Sequence, residues 1–361
     1  MEEISLYQKF KKEAGIRWNS LAKPLYGFGV LEDAVTKLVA IRESMEIAAP
    51  LKKAVVVLAA DHGVVEEGVT QADASVTRTV AESIADGEAV ISILAASVGA
   101  DTYIFDVGMD TEPYPEREIR VGAVIDRKIA RGTGNLRHKA SMTEEDVSTA
   151  FSIGREILDF MSGKGYEIVA TGEMGIGNTT PATAIAAYLL HLDPKEVTGR
   201  GAGLDDEGLK KKIRVVEDAI LRVRTSHPEG ISETELLAEL GGYEIAVMTG
   251  IFLAAKEYRM PVIVDGAISA VAALLAVRID ARSADYMLAS HMPAEGVGAG
   301  VIAAMHLEPV IHGRLCHGEG TGATLLFPLL DEALEVFCKT KTFAGLGIEA
   351  YKEEGKPGDK R

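Results

Sequence analysis

A carboxylate set between glycines is uncrowded and can face a cavity, and this chain has one in His317-Gly-Glu-Gly-Thr-Gly322. The apolar stretch Ala323 to Leu330 follows it directly. Near apolar walls a carboxylate loses hydration and becomes a stronger base, so Glu319 is a candidate proton acceptor. A glutamate in a surface turn is the alternative. A second glycine-rich stretch, Thr171-Gly-Glu-Met-Gly-Ile-Gly-Asn-Thr-Thr180, runs into a helix expected to begin near Pro181. Gly175 and Gly177 let backbone N–H groups approach a ligand without Cβ obstruction, and Asn178, Thr179 and Thr180 add donors. Free amides at the positive end of a helix suit an anion, although the dipole itself contributes only about 0.3–1 kcal/mol. The lysine of a Walker A loop and the third glycine of a dinucleotide fingerprint are missing, and a plain capped turn is the alternative.

Two further stretches carry polar groups. Thr198-Gly-Arg-Gly-Ala-Gly-Leu-Asp205 leads through acids into Lys210, Lys211 and Lys212, cations able to fold back toward a phosphate or to lie on a solvated helix face. Asp265-Gly266 closes the apolar run Pro261–Val264; the aspartate could orient a ribose hydroxyl, support a neighbouring loop or cap a helix. His62, His291 and His317 show no HxxxH or HxH spacing and no Cys/His cluster accompanies them, so no metal is expected.

These residues need elements to position them. Ala54–Ala60 is a continuous apolar run ending in Asp61-His62-Gly63, which suits a strand buried on both faces. Similar runs lie at 102–108, 167–171, 261–265 and 285–290. Between them come helical patterns: Leu31, Val35, Leu38, Ile41 and Met45 recur at three and four, and Thr143-Glu-Glu-Asp146 reads as a helix cap ahead of Val147, Phe151, Leu158 and Met161. Alternation of strand and helix predicts an α/β fold with a large Rossmann-like domain and a mostly parallel sheet. Ligands in such sheets bind beyond the carboxyl ends of the strands, where the polar clusters fall. Residues 1–50 and 331–361 are expected to form a small helical part around a 51–330 catalytic domain, with a frayed tail from Lys352.

The 361 residues are 47% hydrophobic, with 54 acidic against 38 basic side chains and a formal charge of −16. That balance argues against a broad nucleic-acid or anionic-membrane surface. Two cysteines without a paired framework, no apolar signal core near the start and no run long enough to span a bilayer predict a soluble cytoplasmic protein.

Taken together, the stretches from Asp61 to Leu330 resemble the nicotinate-nucleotide–dimethylbenzimidazole phosphoribosyltransferase family. The matching pieces stand in family order: Ala60-Asp-His-Gly-Val64, Gly172-Glu-Met-Gly-Ile-Gly-Asn-Thr-Thr180, Gly199-Arg-Gly201 with Gly203-Leu-Asp205, Val264-Asp-Gly266, Ser290-His291 and Gly318-Glu-Gly-Thr-Gly-Ala323. The resemblance implies transfer of the ribose phosphate of nicotinate mononucleotide to dimethylbenzimidazole in cobalamin lower-ligand assembly, without a cofactor, in a homodimer. It implies Glu319 as general base and Glu173 as a second carboxyl near the base. It implies a phosphate and nucleotide site from Gly175, Gly177, Asn178, Thr179, Thr180, Gly201, Gly203, Lys212 and Asp265. The base pocket would draw on Ser75, Met174, Ser290 and His291. Cys316-His317 replaces the family's common Arg-Leu, Met292–Gly298 departs from its usual run, and Gln71–Thr77 lacks its Pro-Gln pair. These departures bear on the base, so adenine, other benzimidazoles and phenolic bases stand beside dimethylbenzimidazole as acceptors. A nucleotide sensor without turnover and a glycosyl hydrolase on the same scaffold are the competing readings.

Overall fold

The computed structural model describes residues 5–201, 203–294 and 296–352; the tail expected to fray lies, after Lys352, outside the described residues. Six strands form one sheet: β1 (Lys53–Ala60), β2 (Ala100–Gly108), β3 (Val124–Asp126), β4 (Ile168–Met174), β5 (Val262–Val264) and β6 (Met287–Ala289). Every pairing is parallel and the spatial order is β3-β2-β1-β4-β5-β6. The expected strands are present within a few residues. β3 is the addition, three residues in a polar stretch too short to show periodicity in the sequence.

Strand β1 explains why its sequence is a continuous apolar run. Ala54, Val56, Leu58 and Ala60 face one core, and Val55, Val57 and Ala59 face another. With both faces covered, alternation disappears. The first core is closed by α5 (Glu144–Gly163), α6 (Thr179–Leu190), α8 (Asp206–Ser226), α9 (Glu233–Leu240), α10 (Tyr243–Tyr258), α11 (Ala267–Ile279) and α12 (Gly298–Ala304). The second is closed by α1 (Leu6–Ser20), α2 (Val30–Arg42), α3 (Ser75–Ala85), α4 (Val90–Ser97) and α13 (Thr321–Lys339). Two one-turn helices, α7 (Pro194–Val197) and α14 (Phe343–Leu346), lie in connections. Helix α5 starts at the expected capping box of Thr143 and Asp146.

The terminal helices are joined to the sheet and to one another. Arg17 of α1 donates to the carbonyls of Phe337 and Cys338 at 2.8 Å each, satisfying the open end of α13. Trp18 lies 5.0 Å from the Phe337 ring. At the start of β1, Lys53 pairs with Asp331, which also accepts from Leu51 N. The boundary expected at residue 330 therefore falls inside a continuous helix, because the apolar stripe of α13 runs from Ala323 to Phe337 in one core with the strands.

Strand β1 is the first strand, and the chain leaves it for β2 on one side and later adds β4 on the other. Crevices at such a reversal are the usual ligand site of doubly wound sheets. Asp61 and His62 follow β1, and Glu173 and Met174 end β4.

Candidate active site

The turn after β4 folds as the sequence suggests, with one difference at its helix. α6 begins at Thr179, and Asn178 holds the position before it without capping the helix by its side chain. The Asn178 amide instead turns back and donates from Nδ2 to Glu173 Oε2. The turn is held by Ile176 N donating to Thr77 Oγ1 at 3.2 Å, and by closures from Asn178 N to Gly175 O and Thr180 N to Gly177 O. Gly175 must be bare: a Cβ there would stand 2.7 Å from Ala60 O and 3.2 Å from His62 Nε2. Below it, His62 Nε2 lies 2.8 Å from Glu244 Oε1, both side chains buried, a pair 182 residues apart in the chain.

Lys212 reaches this turn from α8. The lysine is 1% exposed, and its Nζ donates to Thr179 Oγ1 at 2.6 Å. Gly201, at φ +51°, leaves the ammonium room, since a Cβ there would stand 3.2 Å from Nζ. The neighbouring Lys210 and Lys211 lie exposed on the helix face. Burying an ammonium is costly unless acceptors meet it, and Thr179 Oγ1 supplies one here.

Glu319 arrives from the other side, on the loop that enters α13. Gly318, Glu319 and Gly320 have φ of +82°, +58° and +86°. The left-handed region costs a non-glycine residue of order 1–3 kcal/mol, and the surroundings hold it there. Asp265 Oδ2 accepts from Gly320 N at 3.1 Å and Oδ1 from Ala323 N at 2.8 Å. Thr321 Oγ1 donates to Gly318 O at 2.9 Å. A Cβ on Gly172 of β4 would collide with the Glu319 carbonyl, so the loop sits directly on the strand. Of the three roles open to Asp265 in the sequence, its hydrogen bonds leave the support of this neighbouring loop. It is 2% exposed and not on the cavity wall. The reason is local: Gly266, at ψ −163°, starts α11, and the carboxylate is left to cap α13 instead.

One cavity of about 220 Å³ brings the two glycine-rich stretches together. Of the residues singled out in the sequence, Glu173, Met174, Gly175, Gly177, Asn178, Thr179, Gly201, His291 and Glu319 line it. Glu173 and Glu319 are near neighbours: a Cβ on the intervening Gly318 would stand 2.7 Å from Glu173 Oε1. Burial drives the Glu173 carboxyl well above the ordinary glutamate range; the Asn178 bond opposes this, and the charges of Glu244, Asp265 and Glu319 reinforce it. Glu319 is also raised, first by burial, with His317 pulling it down and Asp265 pushing it up. His317 Nε2 is 3.5 Å from Glu319 Oε2.

Ser290 and His291 form a buried step at the end of β6. Ser290 Oγ donates its proton to Val264 O at 2.7 Å, so at 2.9 Å it accepts from His291 Nδ1–H. Burial lowers His291, with Asp265 opposing, which favours the neutral ring with an unprotonated Nε2.

Four residues expected at the site lie off its wall, besides Asp265 and Lys212. Ser75 begins α3 with its hydroxyl turned onto Asp73, a local bond that faces it away from the cavity wall. Thr77, two residues on and fully buried, is the α3 residue that touches the turn. Thr180 is buried within α6. Gly203 accepts at its carbonyl from Gln71 and stands outside the cavity. Ser290 is buried behind the wall and hydrogen-bonded to His291. Sequence reasoning missed Val69, Thr70, Ile268, Pro293 and Leu315, which also line the cavity. Most of them read as ordinary core residues; the position of Ile268 just past Asp265-Gly266 was the available signal. No group of three or more His, Cys, Asp or Glu placed to hold a metal ion occurs among the described residues.

A family model described as phosphoribosyltransferase matches residues 5–348. The nicotinate-nucleotide–dimethylbenzimidazole phosphoribosyltransferase of Ruminiclostridium cellulolyticum is 37% identical over 97% of this chain and 95% of its own length. The chain belongs to the nicotinate-nucleotide–dimethylbenzimidazole phosphoribosyltransferase family. The relative of that name from Acetivibrio thermocellus is 36% identical over 94% of this chain and 93% of its own. The crystal structure of CobT from Thermus thermophilus superposes with a TM-score of 0.87 at 35% identity, covering 94% of this chain and 99% of that one. The α/β fold with its parallel sheet is thus the family's fold. No helix among the described residues is long and apolar enough to cross a membrane.

Proposed function

We propose that this enzyme transfers the ribose phosphate of nicotinate mononucleotide to a benzimidazole-type base, giving an α-ribazole phosphate and nicotinate for cobalamin lower-ligand assembly. The observation that carries this reading is the single cavity shared by Glu319, Glu173 and the Gly175–Thr179 turn. The turn, the start of α6 and Lys212 hold the phosphate, which fixes the ribose. The base enters between Met174, His291 and the Glu319 loop.

The chemistry follows from the base. Its lone-pair nitrogen attacks the anomeric carbon while the bond to nicotinate breaks, and that bond's electron pair returns to the pyridine nitrogen. The leaving group departs from a pyridinium and needs little acid. The N–H on the other nitrogen of the base becomes acidic, and Glu319 takes its proton, an effect of about 10²–10⁴-fold for a positioned base. Attack opposite the leaving group inverts the anomeric centre, and holding the phosphate supplies orientation that free reactants lack. Glu173, driven toward its neutral form, is the second carboxyl beside the base.

Val90 and Ile93 on α4 and Leu325 and Leu329 on α13, two helices packed together, keep apolar side chains exposed. Such a patch supports the homodimer.

The test is incubation of the folded protein with nicotinate mononucleotide, with and without dimethylbenzimidazole and a panel of other bases. Base-dependent nicotinate release is expected, nearly abolished in Glu319→Gln. Nucleotide binding without turnover on any base would establish a sensor instead, and release independent of base a hydrolase.

A further inference from the structure

We infer that His317 carries the proton from Glu319 to solvent after each transfer, an inference resting on the reading of Glu319 as the base. Glu319 must lose the proton it accepts before the next turnover. Its side chain is only 15% exposed, and a base occupying the cavity stands in the way of water on that side. The groups facing it differ in what they can do. Glu173 is buried and held by Asn178. Asp265 is buried and occupied by the amides of Gly320 and Ala323. His291 is buried, with one nitrogen committed to Ser290. Cys316 is a free, exposed thiol on the same loop, and a thiol has one site for a proton where a relay needs two.

His317 alone among these joins the carboxylate to the outside through a ring able to take a proton at one nitrogen and give one up at the other. Its Nε2 is 3.5 Å from Glu319 Oε2, and its side chain is 48% exposed. At that separation a small rotation or one water completes the path. The imidazole accepts the proton at Nε2 and releases the one on Nδ1 to water, which leaves the other tautomer. Proton exchange with solvent at this half-exposed ring restores the starting form, so charge and atoms balance over the cycle and the overall reaction frees one proton. The bare Gly318 between them gives the loop the left-handed turn that sets both side chains on one wall. His317 acts through Glu319 and is a relay, not a group that touches the reacting atoms.

The test compares steady-state turnover in dilute buffer for wild type, His317→Ala, His317→Gln and Glu319→Gln. The relay predicts that both His317 variants lose about 10-fold in kcat, less than a full general-base loss because water substitutes in part. Their KM for the nucleotide stays unchanged, and added imidazole restores the alanine variant. Wild-type kcat and pH profile in both His317 variants would overturn the relay, as would a loss that imidazole leaves untouched. Glu319→Gln separates this from the parent reading: if it turns over normally, the base assignment itself has failed.

Discussion

The carboxyl of Glu173 rests against the bare Cα of Gly318, so close that a methyl group there would stand 2.7 Å from Oε1. Gly318 also has φ +82°. Gly318→Ala therefore meets both a clash and a backbone penalty, and is expected to destabilise the fold by more than about 1 kcal/mol. It should also displace Glu319 and remove most turnover while nucleotide binding is retained. Thermal unfolding and calorimetry on the same sample check both halves.

Phosphate recognition should be separable from base chemistry. Lys212→Met keeps much of the length of the side chain and removes its charge. The loss of one charge-assisted bond, about 1.5–3 kcal/mol, should weaken nucleotide affinity about 10- to 150-fold. Nicotinate riboside, which lacks the phosphate, should bind equally poorly to variant and wild type; a difference between them would assign Lys212 another role.

The acid limb of turnover should lie above the usual glutamate value of about 4.3. Burial raises Glu319 in the folded protein, and once protonated it cannot accept the proton of the base. Turnover therefore falls as pH drops through this raised value. A pH profile of kcat with its midpoint at an ordinary carboxylate value would contradict the placement of the base.

Glu173 makes a stability prediction with a definite sign. Its folded value is raised well above the unfolded one, so between the two the folded state holds the extra proton. Stability is complete below the unfolded value of about 4.3 and falls as pH rises toward the folded one. Glu173→Gln removes this slope. Urea midpoints at pH 5 and pH 8 should show the variant gaining on wild type at the higher pH.

Much of this was legible in the residues. The run Ala54–Ala60 announced a strand covered on both sides, and Thr143-Glu-Glu-Asp146 announced the start of α5, because both signals are local. Glu319 between its glycines was legible for the same reason. Ser75 was misleading because a hydroxyl near a glycine-rich match looks available until Asp73 is seen to hold it. The support of Asp265 for Gly320 and Ala323, and the pairing of His62 with Glu244, join residues far apart in sequence that only the sheet brings together. β3 was hidden because three residues carry no period.

Helix α13 carries the Glu319 loop at one end and, along its length, is tied to Lys53 through Asp331 and to α1 through Arg17. A growing chain synthesises the Gly175–Thr179 turn and Lys212 well before α13. An unfinished or clipped polypeptide ending before residue 318 would lack Leu326, Phe327, Leu330, Leu334 and Phe337, which fill the second core against β1, and is expected to stay unfolded rather than hold a half-built site. Docking of α13 therefore closes the core and delivers Glu319 to the cavity in one step, so a chain that has folded is also one whose cavity is assembled.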